Sequence, residues 1–164
     1  MANALIELRK VEPARLCRLN NEFSAETSLL TDEGMKRLLD MAFYAVGVAE
    51  GSDPDALLIA FDQAAPYDNP NFEFFRSRHE SFVYIDRMIT ASHAQRRGLG
   101  RRLYEGLFAR AREAGHSIVG CEVNLDPPNP GSDAFHERLG FAEVGQATLQ
   151  NGKTVRYLEF RLAS

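Results

Sequence analysis

Apolar residues recur with two different periods along this chain, and these periods divide it into strands and helices. Leu5–Arg9 alternates between apolar and polar residues and predicts a strand, and Pro13 opens a stretch with helical spacing. Thr31 has the chemistry of a helix cap and precedes an apolar stripe at Met35, Leu38, Leu39 and Ala42. Two apolar runs then predict a hairpin: Phe43–Ala49 and Ala56–Asp62.

Residues 82–125 predict a strand, a helix and a second strand. Ser81–Ala91 is rich in β-branched and aromatic residues. After a glycine-rich segment, an amphipathic helix of about four turns ends at Gly115. Its apolar stripe is Leu99, Leu103, Leu107 and Ala111. Ile118–Leu125 is the second strand, so this part of the chain predicts a βαβ-like unit.

The C-terminal part of the chain predicts a short helix and a closing hairpin. Asn129 is suited to cap the helix, with Pro130 in its first turn, and Gly140 ends it. Phe141–Leu149 and Thr154–Leu162 flank an Asn-Gly pair that is typical of tight turns.

Gln63–Glu80 fits neither period and is predicted to be a loop. Its polar residues are interleaved with aromatic ones: Tyr67, Phe72, Phe74 and Phe75. Loops of this length in a compact domain are often functional. The alternative is a loop that simply folds over the core.

Size and composition indicate one globular domain, residues 1–164. The chain is 45% apolar and 26% charged, with a net charge of −4 that argues against nucleic-acid binding. No apolar run approaches the roughly 18 residues of a membrane span, and the N-terminus does not resemble a signal peptide. We therefore expect a soluble, cytoplasmic protein that binds neither nucleic acid nor membrane. Cys17 and Cys121 are expected to be buried thiols, and the four histidines lack metal-ligand spacing.

The segment with the clearest chemistry is Gln95-Arg96-Arg97-Gly98-Leu99-Gly100, between a predicted strand and a predicted helix. Glycine lets the backbone approach a ligand, and a helix start offers unpaired N–H groups to an anion. Arg101 and Arg102 then place positive charge in the first helical turn, which costs about 0.3–1 kcal/mol each unless an anion is bound. The segment predicts a site for a pyrophosphate-like group. The alternative is a surface turn with solvated arginines.

The same segment departs from two common phosphate-binding motifs. A Walker loop requires a lysine that is absent here. A dinucleotide-binding fingerprint requires a third glycine where Leu103 stands. Glu122 lies at a suitable distance for a ribose-binding acid but falls within the next predicted strand. A NAD-binding βαβ protein therefore stays a remote alternative.

The pattern Q/R-x-x-G-x-G/A between a strand and a helix resembles the acetyl-CoA pyrophosphate loop of the Gcn5-related N-acetyltransferase (GNAT) superfamily. A second block agrees: Asn129 precedes a short helix that ends in Phe135-His136-Glu137-Arg138-Leu139-Gly140-Phe141, similar to the family's φ-Y-x-x-x-G-F. The order of the elements agrees over nearly the whole chain. The resemblance implies the GNAT fold, an α/β (α+β) class. We expect a mixed, mostly antiparallel sheet of about six to seven strands flanked by about four helices, with the fourth and fifth strands splayed by a β-bulge.

The resemblance implies acetyl-CoA as the co-substrate and no metal. The backbone N–H groups of Arg96–Arg101 are expected to hold the pyrophosphate, and the amide of Ile89 to stabilise the oxyanion at the thioester. The residues expected to bind the cofactor are Met88, Ile89, Thr90, Gln95, Arg96, Arg97, Gly98, Leu99, Gly100, Arg101, Asn124 and Asn129.

The resemblance also implies catalytic residues. His136 stands where the family usually has a tyrosine that protonates the leaving thiolate. A neutral imidazole can donate a hydrogen bond, and a nearby thiolate would raise its pKa. The alternative is protonation by water. Asp86 and Glu122 on the splayed strands are candidate bases, and Tyr84 holds a position where some members carry an acid. Asp86 alternatively pairs with an arginine such as Arg87.

The predicted loop adds further candidates near the acceptor. His79 and Glu80 could reach the site, and the loop aromatics could shape the acceptor pocket. We therefore expect an N-acetyltransferase that acts on a primary amine, of a small molecule or a peptide, by direct attack in a ternary complex. A weakly catalytic CoA-binding sensor is the alternative, because His136 replaces the tyrosine. A homodimer is compatible with the resemblance.

Overall fold

The computed structural model describes residues 4–23 and 29–163, and this part of the chain forms seven strands and five helices. The strands are β1 (Ala4–Glu7), β2 (Tyr44–Ala49), β3 (Ala56–Asp62), β4 (Val83–Thr90), β5 (Ile118–Asp126), β6 (Ala142–Thr148) and β7 (Thr154–Arg161). The helices are α1 (Pro13–Glu22), α2 (Asp32–Met41), α3 (Pro70–Arg78), α4 (Leu99–Glu113) and α5 (Pro130–Leu139). None of these helices is both long and apolar enough to cross a membrane.

The strands form one mixed sheet in the order β1-β2-β3-β4-β5-β7-β6. Every neighbouring pair is antiparallel except β4 and β5, which are parallel. A parallel pair needs a crossover, which here contains α4, so the predicted βαβ-like unit is confirmed. The expected mixed, mostly antiparallel architecture is confirmed as well.

The two parallel strands separate soon after they begin to pair. β4 and β5 are in register only at Val83 with Val119 and at Tyr84 with Gly120. Further along, β4 contains a bulge opposite β3, because Asp86 is the extra residue between the paired positions Ile85 and Arg87. A bulge bends its strand and increases the local twist. The predicted splay and bulge are confirmed, and they open a cleft in the middle of the sheet.

Local sequence signals define the ends of several helices. The Thr31 hydroxyl accepts a hydrogen bond from Gly34 N at 3.0 Å and caps α2, as predicted. Asn129 caps α5 by accepting from Ser132 N at 3.3 Å, and Gly140 ends α5 with a left-handed backbone, φ +102°. The apolar stripe of α4 is buried against β2, β3 and β4. The cleft is therefore bounded by elements whose ends are well defined.

Two predictions about secondary structure were wrong. Gln63–Glu80 is not all loop, since α3 begins after Asn69, whose side chain accepts from the N–H groups of Asn71 and Phe72. Phe72 and Phe75, three residues apart on the buried face of α3, belong to the core. The polar residues between them hid this short helix, which is one of five in the described chain. The first strand also ends at Glu7 instead of Arg9, because residues 8–10 form a 3-10 turn.

Candidate active site

A cleft of about 760 Å³ lies where β4 and β5 diverge. Its walls are β4 from Ile85 to Thr90, β5 from Cys121 to Asn124, the loop and first turn that begin α4, and one side of α5. Most of the residues singled out in the sequence line it: Asp86, Met88, Ile89, Thr90, Gln95, Arg96, Gly98, Leu99, Gly100, Arg101, Glu122, Asn124, Asn129 and His136.

Two of the predicted site residues do not line the cleft. The Arg97 guanidinium lies on the exposed side of the loop, with Nη1 3.8 Å from Glu50 Oε2. Tyr84 is buried beneath the cleft, where it contacts Glu122 instead of the open space.

The loop before α4 leaves backbone N–H groups available at the cleft. Arg96 and Gly98 both have left-handed backbones, with φ of +67° and +74°. Gly98 caps α4 without a side-chain hydrogen bond, and the bond from Arg102 N to Gly98 O, at 3.1 Å, begins the helix. The N–H groups of the first turn therefore have no partner within the helix. A left-handed conformation costs a non-glycine residue such as Arg96 roughly 1–2 kcal/mol, so strain is concentrated at this loop.

Gly100 lets three elements approach one another at the base of the cleft. A Cβ atom at this position would lie 2.8 Å from Met88 Cε and 3.5 Å from Phe135 Cζ. Met88 comes from β4 and Phe135 from α5, and both line the cleft. The missing side chain thus keeps the backbone at the helix start accessible.

Glu122 is an acid that lines the cleft and whose pKa lies near neutrality. Burial raises the pKa of its carboxyl to about 7, although the Tyr84 hydroxyl opposes this shift by donating a hydrogen bond to Oε1 at 2.6 Å. Tyr84 itself stays protonated, since burial raises its pKa well above the ordinary value. Glu122 therefore changes its charge near neutral pH, as a general base should.

Asp86, the other candidate base, is held by two donors. The Tyr67 hydroxyl donates to Oδ1 at 2.7 Å, and Arg87 Nε donates to Oδ2 at 2.7 Å. The bulge places Asp86 and Arg87, which are adjacent in sequence, close enough to pair. Both carboxylate oxygens are thus occupied, which corresponds to the alternative of an Asp86–Arg87 pair.

His136 forms a hydrogen-bonded chain with Tyr104 of α4. His136 Nδ1 lies 2.8 Å from the Ser132 carbonyl oxygen, which can only accept, so this nitrogen carries the hydrogen in the neutral ring. Nε2 then accepts from the Tyr104 hydroxyl at 2.7 Å. Burial lowers the pKa of His136, and the neutral ring has no hydrogen left on Nε2.

Sequence reasoning missed Tyr104 as a candidate site residue. It lines the cleft, but in the sequence it merely flanks the apolar stripe of an amphipathic helix. No local signal distinguishes it from core aromatics such as Phe108. Its partner is 32 positions away, so only the packing of α4 against α5 reveals the pair.

The candidates from the predicted loop do not line the cleft. His79 Nε2 lies 2.7 Å from Glu159 Oε2, which also accepts from Arg78 Nε at 2.9 Å. Phe74 stacks on Tyr157, with ring centroids 3.9 Å apart. Phe72, Phe74 and Phe75 do not line the cleft, contrary to the expectation for these three, because α3 packs them in or against the core. Tyr67 precedes α3 and contacts a cleft residue, Asp86. Glu80 is exposed outside the cleft.

The described residues contain two cysteine thiols, and their histidine and acidic side chains lack the arrangement that a metal ion requires. Cys17 and Cys121 are both buried and free, as predicted. Cys121 lines the cleft, but burial raises the pKa of its thiol well above the ordinary value, which disfavours the nucleophilic thiolate. In residues 4–23 and 29–163, no group of histidine, cysteine, aspartate or glutamate side chains could hold a metal ion.

Solved structures share this fold over almost their whole length. The ribosomal-protein-S18-alanine N-acetyltransferase of Escherichia coli has a TM-score of 0.73 and 14% identity, covering 99% of this chain and 95% of that one. The structure of yncA from Salmonella typhimurium with its cofactor acetyl-CoA has a TM-score of 0.72 and 15% identity, with the same coverage of 99% and 95%. Ard1 of Thermoplasma volcanium has a TM-score of 0.76 and 14% identity, covering 100% of both chains. At such low identities the likeness shows the fold alone.

Comparison with the sequences of known proteins and protein families is more specific than the likeness of the structures. Curated protein sequences gave no significant match. The model of the acetyltransferase (GNAT) family matches residues 19–141, which contain β4, the glycine-rich loop, α4, β5 and α5. The chain therefore belongs to the acetyltransferase (GNAT) family.

Proposed function

We propose that this protein is an acetyl-CoA-dependent N-acetyltransferase that acetylates a primary amine by direct attack in a ternary complex. One observation carries the proposal: a single cleft joins an anion-binding type of loop to Glu122, a carboxyl with a pKa of about 7. The loop is suited to the pyrophosphate of CoA, and the carboxyl is suited to take a proton from an amine.

The residues of the cleft fit the cofactor. Backbone N–H groups from Arg96 to Arg101 would hold the pyrophosphate, and Gly100 leaves room for its close approach. β4 has no strand partner in β5 beyond Tyr84, so its edge is available to the pantetheine arm. The Ile89 amide would donate to the thioester oxygen, where negative charge develops. Bound acetyl-CoA supplies the thioester that is attacked.

Glu122 would act as the base. An acceptor amine is largely protonated at neutral pH and must lose a proton before it can attack. Glu122 faces the cleft and is about half ionised at pH 7, so it can accept that proton and release it to solvent. Asp86 is less available, since Tyr67 and Arg87 occupy its oxygens.

Tyr104 and His136 would together protonate the leaving thiolate. A protonated His136 can pass the hydrogen on Nε2 to the Tyr104 oxygen while the Tyr104 hydroxyl hydrogen moves to the CoA sulfur. The phenol is neutral before and after, and the imidazolium becomes neutral imidazole. A thiolate nearby favours this protonated histidine, against the effect of burial. The pair would replace the family's single tyrosine.

Release of free CoA in the presence of acetyl-CoA and a panel of amines tests the reaction. We expect Glu122→Gln to lower kcat/KM about 100-fold while leaving the affinity for acetyl-CoA unchanged. Glu113→Gln, at an exposed position near the end of α4, is the matched control and should have no effect. Binding of acetyl-CoA without CoA release from any amine would instead support a CoA-binding sensor. Failure of millimolar acetyl-CoA to raise the melting temperature would refute the cofactor assignment.

The acid step has a separate test. Tyr104→Phe and His136→Gln should each lower kcat about tenfold or more, and the double variant should be no slower than the slower single variant, because the two groups act as one unit. Multiplicative losses in the double variant would show that the two residues act independently.

A further inference from the structure

Arg87 is a buried arginine with part of its guanidinium facing the active-site cleft. The residue is 7% exposed and lines the cleft next to the bulge in β4. Its position is defined by two contacts. Nε donates to Asp86 Oδ2 at 2.7 Å, and Nη1 donates to Asn20 Oδ1 of α1 at 2.7 Å.

These contacts use two of the five N–H groups that a guanidinium carries. Nη2 makes no hydrogen bond to the part of the chain that the structure describes. Among those residues, the only buried side-chain nitrogen or oxygen that is both sealed from solvent and unbonded is Arg156 Nε. Nη2 of Arg87 is therefore not fully sealed from solvent, and Arg87 lines the cleft.

The guanidinium is held ready for an acceptor group from a ligand. Asp86 and Asn20 restrain it from two sides, so little side-chain freedom remains to be lost on binding. The N–H groups of Nη2 and the remaining one of Nη1 are left to donate, and a guanidinium can bind a carboxylate with two parallel hydrogen bonds. Asp86 balances the charge of Arg87 without using these N–H groups.

Glu122 lines the same cleft and is close enough to Arg87 and Asp86 to feel their charges. One small molecule that carries both an amine and a carboxylate could therefore place its amine near Glu122 and its carboxylate at Arg87. A ligand that carries only an ammonium group gains nothing from Arg87, because an ammonium group cannot accept a hydrogen bond from the guanidinium.

We propose that the acceptor is a free amino acid, whose carboxylate binds Arg87 while its amine faces Glu122. This inference rests on the proposed N-acetyltransferase function and names its substrate class. A peptide N-terminus has an amide where a free amino acid has its carboxylate, so Arg87 would disfavour it.

Matched acceptor pairs test the proposal. Free amino acids with apolar, acidic and basic side chains are each compared with their C-terminal amides, and CoA release is followed at saturating acetyl-CoA. For the amino acid that reacts fastest, we expect kcat/KM to be at least about tenfold higher than for its C-terminal amide. The difference should lie mainly in a lower KM, because the amide loses a charge-assisted hydrogen bond. Arg87→Lys should reduce this preference to less than about threefold, since lysine lacks the planar fork.

Arg138→Gln is the matched control. Arg138 also lines the cleft, but it lies exposed on α5, and its replacement should leave the acid-to-amide preference unchanged. Equal rates for acids and amides in the unmodified protein would overturn the amino-acid proposal while supporting N-acetyl transfer. An unchanged preference in Arg87→Lys would overturn the role of Arg87. CoA release from no acceptor at all would refute the proposed function and this inference with it. If Arg87→Lys does not fold, the acid-to-amide ratio of the unmodified protein still decides.

Discussion

Replacing Tyr84 with phenylalanine would remove the hydrogen bond that tunes Glu122. The Tyr84 hydroxyl donates to Glu122 Oε1 at 2.6 Å, and the phenol ring packs in the core, where phenylalanine has nearly the same shape. Burial raises the pKa of Glu122, and the Tyr84 hydrogen bond lowers it by stabilising the ionised form. Without that bond, the pKa must rise further.

The size of the shift follows from the strength of the bond. A hydrogen bond to a charged group contributes about 1.5–3 kcal/mol, and one pKa unit corresponds to about 1.36 kcal/mol. Loss of the bond should therefore raise the pKa of Glu122 from about 7 by about one to two units. At pH 7 the ionised fraction would fall from about a half to about a tenth or less, so kcat/KM should fall at least about fivefold. The loss should disappear well above pH 9, where both proteins are ionised at this position.

The assay is the pH profile of kcat/KM for CoA release, measured with one acceptor so that the titration of the amine cancels. Tyr157→Phe is the matched control, because its buried hydroxyl donates to Asn71 Oδ1 at 2.8 Å instead of to Glu122. Its profile should match that of the unmodified protein. A Tyr84→Phe profile with an unchanged or more acidic midpoint would refute the assignment of Glu122 as the titrating base.

Three further substitutions test the loop, the core and a helix cap. Gly98→Ala places a Cβ in open space but on a backbone with φ +74°. It should lower the free energy of unfolding by roughly 1–2 kcal/mol, and calorimetric titration should show weaker binding of acetyl-CoA. Gly120→Ala would bring a Cβ to within 2.5 Å of Phe75 Cε1, and chemical denaturation should show a loss of about 1–3 kcal/mol. Thr31→Ala removes the acceptor for Gly34 N and should lower stability by about 1 kcal/mol in the same assay, with no change in catalysis.

Most of the fold could be predicted from short stretches of sequence, and the failures have local causes. β4 and α4 follow from runs whose period is unmistakable, and the caps at Thr31 and Asn129 follow from their own side chains. α3 was missed because its two core residues, Phe72 and Phe75, are too few to establish a helical period among polar neighbours. Position alone could not tell a core aromatic from a pocket aromatic, since both are apolar and lie next to polar residues.

The sequence by itself identified the family and the glycine-rich segment of residues 95–101, because the residues of this motif are contiguous. Tertiary structure decided the chemistry around that segment. Tyr84 and Glu122 are 38 positions apart, and Tyr104 and His136 are 32 apart, so no local pattern pairs them. The pKa of Glu122 depends on burial, and the placement of Arg87 depends on the bulge in β4 and on Asn20 of α1. Such properties arise only when distant segments exclude water from the same space.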